Sequence, residues 1–164
     1  MKAPDPRRAA ILLVPLLLAS QSASAATAAG SGALALASLV AAHSPLLSRH
    51  ERRVMARLFG GDSNVAFPAG SKISIKADAV VCRASNVDIT SRSCKLTFGA
   101  TSTELTGRRA HELYATIAEV GVPPDGAAGS TFESLSHLVC TIDPQVIAQK
   151  AGGGADCTFD PGAS

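Results

Sequence analysis

Two rhythms of hydrophobic and polar positions alternate along this chain, and each change of rhythm marks an element. Leu46, Leu47, Val54, Met55, Leu58 and Phe59 recur at helical spacing. Ser44-Pro45 before them suits a cap followed by proline at the first helical position, and Gly60-Gly61 after them suits a stop. This pattern predicts a helix over about 45–59. From Lys72 the period becomes two: Ile73, Ile75, Ala77, Ala79 and Val81 alternate with Ser74, Lys76, Asp78 and Val80, which predicts a strand with its odd-numbered residues buried.

A short strand at Val87-Asp88-Ile89 follows, then one with Cys94, Leu96 and Phe98 inward, then a turn at Gly99-Ala100 into Thr103–Leu105. Connections this short exclude crossovers, so two to four antiparallel strands in a meander are expected. Thr106 opens a second helix with a stripe of Leu113, Tyr114, Ile117 and Val120, and Gly121 closes it. Pro123-Pro124-Asp125-Gly126 forbids continuation and begins a loop to about Ser130.

Residues 131–142 fit a strand with Leu138, Cys140 and Ile142 inward, or a helix with Phe132, Leu135, Leu138 and Val139 on one side. The β-branched Val139, Thr141 and Ile142 favour a strand for the second half. Asp143-Pro144 repeats the cap-then-proline signal for a short helix to about Lys150, and Ala155–Phe159 returns as a last strand. The expected fold class is α+β: a small antiparallel sheet packed by the Thr106–Gly121 helix and by the 45–59 helix as a second cover.

The start of the chain has another character. Lys2, Arg7 and Arg8 precede an apolar run from Ala9 to Ala19, and small residues follow it. This is the layout of a secretory signal peptide, with Ala23-Ser24-Ala25 placing the cut before Ala26 and Ser24-Ala25-Ala26 serving nearly as well one residue later. The expected organisation is therefore a leader over 1–25, an Ala/Ser-rich segment over 26–43, and one α+β domain over 44–160. The Ala/Ser-rich segment reads as a docked helix or as a tether. The rival is a retained membrane anchor, because no charge appears between Ala9 and Ala42. Pro15 and the polar run Ser20–Ser24 count against it.

The leader also carries the net charge. The whole chain is +2, and Lys2, Arg7, Arg8 and Asp5 all lie before the cut, so the mature chain is neutral. A global field that would attract nucleic acid is absent, and nucleic acid is not an expected partner. The absence of tryptophan removes the usual stacking platform for sugars and single strands.

Export and an even number of cysteines together imply disulfides. Cys82, Cys94, Cys140 and Cys157 allow three connectivities, and the local one, Cys82–Cys94 with Cys140–Cys157, joins neighbouring predicted strands. No two cysteines are spaced for a zinc site, and His43, His50, His111 and His137 are not paired at ligand spacing. No metal or cofactor is expected.

Candidate chemistry is sparse. Gly61-Asp62-Ser63-Asn64 invites comparison with serine hydrolases that carry a Gly-Asp-Ser core, with His50 or His111 as base, but the residues that follow the motif in those families are missing and the segment reads as a polar turn. Glu112 can meet Arg108 one turn earlier on the second helix, and Asp88, Glu104, Glu133 and Asp143 are scattered. Arg49, Arg52, Arg53 and Arg57 make the densest basic patch of the mature chain, suited to an anionic lipid or an acidic partner. The expected function is that of a small exported, non-catalytic protein of the bacterial periplasm or exterior that binds a macromolecule through this helix or the 123–130 loop. The alternatives are a small hydrolase using Ser63, and an envelope protein anchored by residues 9–42.

Overall fold

Strands rich in Val, Ile, Thr and Leu form a sheet whose neighbours all run antiparallel. The computed structural model describes residues 25–85, 92–121, 130–149 and 153–162. In chain order the elements are β1 (Ala26–Ala29), α1 (Gly30–His43), α2 (Arg49–Phe59), β2 (Ile73–Ser85), β3 (Ser93–Phe98), β4 (Thr101–Thr106), α3 (Gly107–Glu119), β5 (Ser130–Ile142), α4 (Pro144–Ala148) and β6 (Ala155–Pro161). The six strands form one sheet in the order β1-β6-β5-β2-β3-β4. The fold is α+β, with β2, β3 and β4 as the expected meander and β5, β6 and β1 added on the other side of β2. Residues 131–142 are strand throughout. The expected strand at 87–89 and the loop at 123–129 lie outside the described residues.

The Ala/Ser-rich stretch set apart as 26–43 is part of the fold. It supplies the edge strand β1 and the helix α1, whose Ala33, Leu36, Ala37, Val40 and Ala41 are all at most 1% exposed. Their spacing of three and four residues makes one stripe, and its alanines let the helix lie close to the sheet. The second cover of the sheet is therefore α1 beside α3, not the 45–59 helix. That helix, α2, packs instead on α1 and α4.

Its start also moves. Ser44 ends α1, and α2 begins after Ser48, whose hydroxyl accepts from Glu51 N (3.1 Å) while Glu51 Oε2 accepts from Ser48 N (2.7 Å). This reciprocal box satisfies two amides at once, which outweighs proline at position 45. Leu46 consequently leaves the apolar stripe and is 67% exposed. Asp143 caps α4 as expected, accepting from Gln145 N and Val146 N.

The odd-numbered buried face of β2 holds for only half of the strand. Ile75 and Ala77 face the helices, but beyond Asp78 the buried residues are Val80, Cys82 and Ala84. β5 changes side with it: Ala77 pairs with Leu138, and Val80 pairs with Leu135. At the crossing His137 adopts φ +50°, and the β5–β6 register shifts between Ser136 and Val139. A left-handed residue reverses which face its successors present, so alternation read through it inverts.

Candidate functional site

Both disulfides join directly opposed residues and lie on the helix-covered face. Cys82–Cys94 ties β2 to β3 and Cys140–Cys157 ties β5 to β6, the local pairing expected from the sequence. Cys94 Sγ sits 3.3 Å from the carbonyl oxygen of Ala110 in α3, and Cys157 Sγ sits 3.5 Å from that of Ala33 in α1. An oxidised sulfur has no hydrogen to donate, so these are packing contacts. Each bridge thus pins two strands directly beneath one helix.

The other face of the sheet carries no described helix, and Lys76, Arg83, Lys95, Glu104, Asp156 and Thr158 on it are exposed. Across β2, β3 and β4 it forms a groove of about 610 Å³ lined by Val81, Arg83, Ser93, Lys95, Ser102 and Glu104. Strand register builds this groove: Val81 is opposite Lys95, and Lys95 is opposite Glu104. A second hollow of about 410 Å³ runs along the outer side of β4, lined by Glu104, Leu105, Thr106, Arg108 and Arg109. Sequence reading did not single out Arg83, Lys95 or Ser102. The signal that finds them is the corrected alternation of β2 combined with that of β3 and β4.

The four arginines of α2 divide by function. Arg52 reaches back to the α1–α2 turn and donates to the carbonyls of Ser44 (2.9 Å) and Leu47 (2.7 Å). Arg57 pairs with Asp62 at 2.8 Å. Arg49 and Arg53 remain exposed to solvent beside His50. The patch of four is therefore two solvent-facing guanidiniums and two that tie down the ends of their own helix.

Ser63 lies exposed in the turn after α2. Asp62 organises that turn, accepting from Asn64 N (2.9 Å), from Asn64 Nδ2 (3.0 Å) and from Arg57. The Asn64 amide first and then the Arg57 side chain hold its carboxyl below the usual value. His111 is exposed on α3, and Arg108 pairs with Glu112 at 2.9 Å as the helical spacing expects. The structure also brings together His137 Nδ1 and Asp160 Oδ2, a pair the sequence did not offer, 2.8 Å apart across the irregular part of the β5–β6 ladder. Among the described residues no group of three or more His, Cys, Asp or Glu is arranged to hold a metal ion.

The fold and these surfaces define a small, doubly cross-linked α+β protein in which, among the described residues, helices cover one face of the sheet and not the other. Compared with protein-family models, with curated proteins and with solved structures, the chain matches none of them.

Proposed function

We propose that this chain is an exported, disulfide-pinned binding module of the bacterial periplasm or exterior, without catalytic activity. The observation that carries the export reading is positional: the first strand of the sheet begins at Ala26, the residue expected to follow the signal-peptide cut. A leader ending at Ala25 leaves every described element intact once removed. Two disulfides agree with an oxidising compartment. A retained span over 9–42 would have to withdraw Ala33, Leu36, Ala37, Val40 and Ala41 from the core that they complete.

Binding is supported by the rigidity and chemistry of what the sheet presents. Its strands are fixed by two cross-links and two helices, and its uncovered face offers a polar groove with both signs of charge. Recognition surfaces of this kind lose little conformational freedom when a partner docks. Sequencing the N-terminus of the protein recovered from the cell envelope tests the export step: a start near Ala26 is expected, and an intact Met1 rejects it. Affinity capture by the mature form, compared with an Arg49→Ala/Arg53→Ala variant, tests whether α2 is the contact surface. A fluorophosphonate probe that labels the wild type and not Ser63→Ala would overturn the non-catalytic reading.

A further inference from the structure

We infer that leader cleavage completes the sheet: the α-ammonium freed at Ala26 pairs with the carboxylate of Asp160 and anchors β1. This rests on the export reading, and adds to it a fixed cut and a structural role for the new chain end.

The backbone of Ala26 is directed at β6. Cys140 and Cys157 have Cα atoms 4.0 Å apart, the close spacing of a non-hydrogen-bonded antiparallel pair. Cys157 therefore turns its own N–H and C=O away from β5 and toward β1, where it is opposite Ala28. Backbone direction alternates along a strand, so Ala28 and Ala26 bond to Cys157 and Phe159, while Thr27 directs its amide outward. The nitrogen of Ala26 is thus a ladder donor to the Phe159 carbonyl, and the residue that follows this carbonyl is Asp160.

Asp160 is fixed beside that position. Its Oδ2 is 2.8 Å from His137 Nδ1, and just beyond it the Gly162 amide donates to the Ser134 carbonyl at 2.9 Å, which holds the end of β6 against β5. A neutral imidazole donates Nδ1–H without cancelling the charge of the carboxylate. No other partner of that carboxylate lies among the described residues. β1 reads Ala-Thr-Ala-Ala and brings no charged side chain. The other acid of β6, Asp156, is opposite Ala29 at the far end of β1.

Cleavage supplies the missing cation. Hydrolysis of the Ala25–Ala26 bond consumes one water, leaves a carboxylate on the leader and frees an amine on Ala26, which takes up a proton at neutral pH. A cut one residue later would start the chain at Thr27, remove the Ala26 ladder bond and turn the new charge away from β6. Because only Ala26 and Ala28 of this four-residue edge strand bond to β6, one ion pair is a large share of what holds it. A carboxylate beside an ammonium favours its charged form. The stabilisation is therefore complete below the unfolded value of the amine and is lost as pH rises through the folded one.

The test uses the mature chain recovered after export, with both disulfides intact. It is compared with the same chain acetylated selectively at its α-amine, each with Asp160 and with Asp160→Asn. Acetylation removes the charge and keeps an N–H for the ladder. N-terminal sequencing should give Ala26 as the first residue. NMR titration of the Ala26 amine should place its pKa above the ordinary range of about 7.7–8.0 in the folded chain, and within it in urea or in Asp160→Asn. In urea unfolding, acetylation should lower the folding constant about twofold to fivefold when Asp160 is present, and leave it unchanged in Asp160→Asn. The difference should shrink as salt rises. The inference fails if the chain starts at Thr27, if the folded amine titrates as in urea, or if acetylation acts equally with and without Asp160. The comparison of folded with urea-unfolded amine needs no substitution, so the test stands even if Asp160→Asn does not fold. An intact Met1 would defeat the export reading and this pair together. A start at Ala26 with an unshifted amine would leave export standing and defeat the pair alone.

Discussion

Cys157 Sγ lies 3.5 Å from the carbonyl oxygen of Ala33, so the Cys140–Cys157 bridge is closed over by the first turns of α1. Both cysteines are fully buried. The cross-link is thus part of the core as well as a restraint on the unfolded chain, and the Ala/Ser-rich N-terminal helix is its lid. A Cys140→Ala/Cys157→Ala variant should lose about 2–5 kcal/mol in urea unfolding monitored by circular dichroism. Reduction of the wild type by dithiothreitol should proceed no faster than unfolding exposes the bridge. Reduction much faster than unfolding would show that α1 does not seal it.

The place of α1 in the core can be separated from that of the 45–59 segment by two truncations. Leu36 is fully buried and Leu46 is 67% exposed. Leu36→Ala should cost about 2–5 kcal/mol, whereas Leu46→Ala should stay within about 0.5 kcal/mol of the wild type. Equal effects in chemical denaturation would contradict the assignment of α1 to the core.

Gly154 and Gly153 should respond oppositely to alanine. Gly154 has φ +98°, and a β-carbon there would stand 2.9 Å from Ile147 Cγ1, 3.1 Å from the carbonyl oxygen of Asp143 and 3.1 Å from Ile147 N. Two of these neighbours are backbone and cannot yield without disturbing the α4 cap, where Asp143 N also donates to the Gly154 carbonyl at 2.7 Å. At Gly153 the same space is open. Thermal unfolding should show Gly154→Ala destabilised by more than about 1 kcal/mol and Gly153→Ala near neutral or slightly stabilised.

Acid should weaken the fold in two stages. Burial first, and the nearby charge of Arg109 second, hold His43 below the ordinary imidazole value of 6.5. The folded state therefore favours the neutral ring. The contribution of His43 is complete above the unfolded value and is lost as pH falls through the folded one. Asp143, held down chiefly by Lys72 at 2.5 Å, and Glu51, held down by its bond with Ser48, add a second loss below their ordinary carboxylate values. Urea midpoints measured from pH 8 to pH 3 should begin to fall below about pH 6.5. The first stage should be absent in His43→Gln and the second retained; a wild-type profile flat down to pH 5 would remove His43 from this account.

Much of this protein was legible in its sequence, because much of it is fixed by neighbours along the chain. Cys94, Leu96 and Phe98 alternate inward in β3 as their spacing requires, and Asp143-Pro144 opens α4 through bonds that reach only two or three residues. The disulfides also follow from local sequence, since strands joined by short connections bring Cys82 opposite Cys94 and Cys140 opposite Cys157. Tertiary structure decided what depends on distant contacts. Ala33 and Ala37 become core only because β6 and α3 lie against them, and small residues signal that weakly. Arg52 and Arg53 are adjacent and chemically identical, yet the path of the α1–α2 turn ties down one and leaves the other in solvent. The buried face changes along β2 at the level where it changes along β5 at the left-handed His137, which leaves Val81 on the groove side and Val80 in the core. Periodicity and capping act over a few residues and can be read directly. Which face is covered and which edge is left open are properties of the assembled sheet.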